Sequence, residues 1–128
     1  IGSPLTGNAL HVLGMICGSM GDFVSSEKFL RQCTLSRRAG EVKPELLADA
    51  MFNHGAALRK LGALLEAENQ FEQCLKLREQ AQPLDEKKLA TCCHALGATL
   101  LQQGGREEAA VPHLERVMTL WEHQLGSD

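Results

Sequence analysis

Residues 51–75 read MFNHGAALRKLGALLEAENQFEQCL, and this stretch decides the fold. Leu58, Leu61 and Leu65, and then Phe71, Cys74 and Leu75, recur at three- and four-residue steps. That spacing gathers apolar side chains on one side of an α-helix. Gly55 in the first half and Ala67 in the second are small, and two helix axes approach to about 8 Å only where bulky side chains are absent from the crossing. The stretch therefore predicts a helical hairpin, two helices joined at Gly62 and closely crossed.

The same unit occurs on either side. Glycines recur at Gly14, Gly55 and Gly97, and again at Gly21, Gly62 and Gly104. Around the first set the chain reads Leu10-x2-Leu13-Gly14-x2-Cys17, Met51-x2-His54-Gly55-x2-Leu58 and Cys93-x2-Leu96-Gly97-x2-Leu100. After the second set come Ser26-x3-Leu30, Ala67-x3-Phe71 and Ala110-x3-Leu114, then Cys33, Cys74 and Val117. The third copy has one extra residue between Gly97 and Ala110, and Gly104-Gly105 is the natural place for it, since a turn absorbs an insertion that a helix cannot.

This pattern resembles the tetratricopeptide repeat, W-x2-L-G-x2-Y followed by A-x3-F and P, from about Gly7 to the end of the chain. It departs at the large aromatics, which are replaced by Leu10, Met51 and Cys93 and by Cys17, Leu58 and Leu100, and it lacks the closing proline. The resemblance implies an all-α, right-handed superhelix of three hairpins, with repeats at about 4–40, 44–82 and 85–126 in one domain spanning 1–128. Boundary signals divide these into six helices, at about 4–20, 22–39, 44–61, 63–81, 85–103 and 106–125. The signals are Ser3-Pro4 as a cap and first-turn proline, Gly21-Asp22 as a stop and new cap, Gly40 before Pro44, Pro83 with Asp85, and Gly126. Pro112 falls inside the sixth helix, where its missing donor predicts a local kink.

The period of about 42 exceeds the usual 34 residues by roughly one turn per helix. With the ending Leu125-Gly126-Ser127-Asp128, it resembles the long repeats of the kinesin light chain and nephrocystin-3 family, in which an LG-x-D link leads into the next repeat. The start at Ile1 fits an excised piece of a longer array. A repeat cannot cover its own end, so Leu120, Trp121 and Leu125 are expected to pack against another molecule or a further repeat.

The resemblance also implies a concave wall built from the first helix of each hairpin and able to hold a peptide. Its candidate contacts are His11 and Met15, then Phe52, Asn53, Arg59 and Lys60, then His94. Asn53 offers a donor and an acceptor to a peptide backbone, or is a solvated surface amide. Arg59 and Lys60 attract acidic groups or form a solvated charged face. Phe52 anchors a partner side chain or packs between hairpins, the latter favoured. Of the positions with which one subgroup grips a terminal carboxylate, only Asn53 has the expected residue type, so such a clamp is not expected.

Composition bounds the alternatives. The 128 residues are 44% hydrophobic and 23% charged with a net charge of -3, an ordinary globular mixture with no basic surface for nucleic acid. Arg37-Arg38 and Lys87-Lys88 read as solvated helix ends. No apolar run of about 18 residues suggests a membrane span. Cys17, Cys33, Cys74, Cys92 and Cys93 read as small buried apolar residues, which points to a reducing, cytoplasmic setting.

Cys92-Cys93-His94 places neighbours about 100° apart on a helix, not face to face. No HExxH, paired-cysteine knuckle or phosphate-binding glycine loop is present. Glu107-Glu108 begin a helix, where they complement its positive end. The expectation is a non-enzymatic adaptor without cofactor or metal, binding another protein or a linear peptide. A second reading is a bridging segment that self-associates through its hairpin ends, and a third is a thiol sensor or enzyme.

Overall fold

A computed structural model describes residues 4–126. Ser3 and the Ser127-Asp128 part of the proposed link lie outside the described residues. Within them the chain forms six helices and no strand: α1 (Pro4–Ser19), α2 (Phe23–Ala39), α3 (Pro44–Lys60), α4 (Leu64–Gln80), α5 (Glu86–Gln103) and α6 (Glu107–Gly126). Helices pair as α1–α2, α3–α4 and α5–α6, and the pairs join through α2 on α3 and α4 on α5. Among the described residues no helix is long and apolar enough to cross a membrane.

The glycine pattern has two physical causes. Gly21, Gly62 and Gly104 have φ of 83°, 82° and 76°, left-handed backbone that a Cβ disfavours. Gly14, Gly55 and Gly97 are needed for space instead. A Cβ there would lie 2.5 Å from Leu30, 2.9 Å from Phe71 and 2.7 Å from Leu114, so the large residue of each second helix sits directly on the glycine of the first. The extra residue of the third hairpin is Gly105, also left-handed with φ 70°, and its N–H donates to Glu107 Oε2 at 3.0 Å.

Caps fix the helix starts. Asp22 accepts from the Ser25 N–H and Asp85 from the Lys88 N–H, each at 3.1 Å, satisfying donors that a first turn leaves open. Hydrogen bonding to Ser25 also holds the Asp22 carboxyl below its ordinary pKa. Pro44 occupies the first turn of α3, and α6 runs on through Pro112 as continuous helix.

The core runs along the interior of all three hairpins, with Leu30, Phe71, Leu89 and Leu96 fully buried. Cys33, Cys74, Cys92 and Cys93 are buried among them as free thiols, and Cys17 is half-buried. One expectation fails here. Arg37 is not a solvated helix end but is buried, donating to the Leu46 carbonyl at 2.6 Å and to Asn8 Oδ1 at 3.3 Å. Its counterpart 41 residues on, Arg78, is buried in the same way and pairs with Asp49. Each arginine locks the end of a second helix to the first helix of its own hairpin, and burial is tolerated because the guanidinium keeps polar partners.

Candidate functional site

The first helices α1, α3 and α5 lie side by side, and polar contacts cross between them. Asn53 on α3 lies with Nδ2 2.6 Å from His11 Nε2 on α1. Burial and the nearby Arg37 charge lower the His11 pKa, against the opposing pull of Asp49, so a neutral ring accepts the amide proton at Nε2. On the other flank Arg59 Nε donates to Gln102 Oε1 on α5. Three successive hairpins are thereby linked along one face.

Two cavities open on that face. One, of about 280 Å³, lies between α1 and α3 and is lined by Gly14, Met15, Gly18, Phe23, Leu30, Asn53, Ala56, Ala57 and Lys60 among others. The second, of about 220 Å³, lies between α3 and α5 and is lined by Phe52, Ala56, Arg59, Lys60, Phe71, Ala95 and Gln102. They share Ala56 and Lys60 as lining residues. The small residues demanded by helix crossing, Gly14 and Gly18 together with the alanines, also hollow out this face.

Each expected contact can now be located. Met15 is half-exposed in the wall of the first cavity. Phe52 packs on Phe71 with ring centroids 5.5 Å apart while lining the second cavity, so it serves the hairpin packing and borders the opening at once. The Lys60 ammonium sits 5.8 Å over the Phe23 ring, an arrangement favoured by the ring's negative face. His94 does not reach either cavity but stacks on Trp121 of α6 at 6.4 Å. Of the end residues, Leu120 packs against the core, Trp121 is half-exposed and Leu125 is almost bare.

The thiols are placed for packing. Cys92 donates to the Phe71 carbonyl at 3.3 Å and Cys33 to the Gly7 carbonyl at 3.3 Å. Contact with the Cys74 thiol and burial push the Cys92 thiol up, and burial raises those of Cys33 and Cys93. A nucleophilic thiol needs a lowered pKa together with access; contact with Cys92 lowers the Cys74 thiol, but that side chain is fully buried. His94 is exposed while Cys92 and Cys93 point inward, so the adjacent residues are not partners.

Sequence reasoning missed the partly buried polar anchors between hairpins. His54 Nε2 lies 2.8 Å from Glu27 Oε2 across the α2–α3 junction, and Glu68 joins α4 to α5 by accepting from Gln103 at 2.8 Å. The equal register of Arg37 with Arg78, and of Glu27 with Glu68, was the available signal.

Comparison with known families adds one finding. Sequence models described as tetratricopeptide repeat match residues 46–123 and residues 7–39. No curated protein matches the chain.

Proposed function

The chain belongs to the tetratricopeptide repeat family, whose repeats mediate protein–protein interactions, and from that premise we propose that the α1–α3–α5 face is a concave groove holding an extended peptide of a partner protein. The observation that carries this reading is the pair of neighbouring cavities of about 280 and 220 Å³ that share Ala56 and Lys60 in their linings. Side chains two residues apart in an extended peptide share one side of it, and neighbouring hollows suit such a pair. The first hollow, walled by Met15, Phe23 and Leu30, takes an apolar anchor. Asn53 serves the peptide backbone, while Arg59 and Lys60 favour acidic flanking residues.

The existing contacts make this groove pre-organised. His11 orients Asn53 and Gln102 orients Arg59, so fewer side chains lose freedom on binding. The hairpin spacing further supports repeats at about 4–40, 44–82 and 85–126, of the long-period type resembling kinesin light chain and nephrocystin-3. The buried free thiols fit a reducing, cytoplasmic setting.

The test is selection from a random peptide library, followed by affinity measurement against wild type and Ala56→Arg. The substitution puts a long side chain on the shared lining. Selected peptides carrying an apolar residue beside acidic ones, and weakened at least tenfold by Ala56→Arg with helix content unchanged, are expected. Peptides bound equally by both proteins would overturn the assignment.

A further inference from the structure

The contact between His11 and Asn53 can take two polarities. Asn53 lines the first cavity, and its Nδ2 lies 2.6 Å from His11 Nε2. A neutral imidazole accepts at one ring nitrogen, whereas an imidazolium donates from both. With the neutral ring, one Asn53 N–H is spent on His11, and the Oδ1 acceptor and the second N–H are left for a ligand. The next junction has no such pair. Its residues in register are Phe52 and Ala95, both in the lining of the second cavity.

The surroundings of His11 keep the first polarity at neutral pH. Arg37 acts on the ring from α2 and Asp49 from α3. Arg37 is fixed by the Leu46 carbonyl and Asn8, while Asp49 is shared between Arg78 and Lys88. Burial of the ring, and then the Arg37 charge, disfavour the imidazolium and together outweigh Asp49. The ring is therefore half-protonated only below the ordinary histidine value of 6.5.

We infer that the protonation state of His11 sets which end of the Asn53 amide meets a bound peptide, an inference that rests on the groove proposed above. An imidazolium donates at Nε2, so the Asn53 carboxamide must turn over and offer it Oδ1. Only N–H groups then face the peptide, and a backbone N–H that had donated to Oδ1 meets another donor. Acid thus removes one hydrogen bond from the complex, which weakens binding about fivefold. Linkage requires the converse, so a bound peptide holds the ring neutral to lower pH. The second cavity, with Phe52 and Ala95 at these places, takes no part.

The experiment measures affinity from about pH 8 to about pH 5, the range in which histidine titrates. The probe is a histidine-free peptide from the library selection, tested on wild type and His11→Gln with helix content checked by circular dichroism. His11→Gln keeps a side chain that can accept from Asn53 but does not titrate, and the remaining histidines are common to both proteins. Wild type should weaken about fivefold towards acid, while His11→Gln should hold its affinity. In the free wild type, the magnetic resonance signals of the His11 ring and the Asn53 side-chain amide should move together with one midpoint. Equal pH profiles for the two proteins, or an Asn53 amide that stays still while His11 titrates, would overturn the inference and leave the groove standing. Peptides bound equally by wild type and Ala56→Arg would remove the groove, and this control of it as well.

Discussion

A Cβ added at Gly55 would stand 2.9 Å from the Phe71 ring, closer than carbon atoms tolerate in a packed core. The backbone there is ordinary helix, so the glycine is required by space alone. Gly55→Ala should therefore lower stability by about 1–3 kcal/mol, as overpacking does. A urea titration should show an earlier midpoint with unchanged slope, and an unmoved midpoint would mean the contact relaxes freely. This single-residue logic was legible in the sequence because it recurs three times in register. Arg37 was not, since an arginine near a helix end looks alike whether solvated or buried. Its burial depends on Asn8 and the Leu46 carbonyl, groups from two other helices that only the fold brings near.

At the scale of elements, each expected helix boundary lies within one residue of the observed one. Asp22, Pro44 and Asp85 act locally and could be read as such. Junctions between hairpins were harder, because the partner changes from copy to copy: Glu27 meets His54, whereas its counterpart Glu68 meets Gln103. Glu68 is the clearest. It accepts from Gln103 at 2.8 Å and from Arg106 at 3.2 Å, and these bonds, that of Gln103 first, hold its carboxyl below the ordinary value of 4.5. A depressed carboxyl favours the folded state above that ordinary value, and the contribution is lost as pH falls through the folded pKa. Glu68→Gln should thus cost about 1–2 kcal/mol at neutral pH and little at strongly acid pH. Thermal melts of both proteins across the acid range should converge as pH falls. A constant gap would show that the charge is not what joins α4 to α5.

For the whole molecule, stacking gives each hairpin only its neighbours to pack against, so the array is a surface before it is a core. The all-α repeat architecture followed from the sequence because one unit is written three times. The proposed groove was less legible. Its candidate residues fell on the first helices, but sequence could not say that His11 and Asn53 would meet, or that His94 would turn to Trp121 instead. That α1, α3 and α5 together form a binding wall is the proposal on which the function rests. It is tested most directly by amide chemical-shift mapping of the chain with a selected peptide. Shifts concentrated around Met15, Asn53, Ala56, Lys60 and Gln102 are the predicted result. Shifts concentrated instead on α2, α4 and α6, with those residues unmoved, would contradict it.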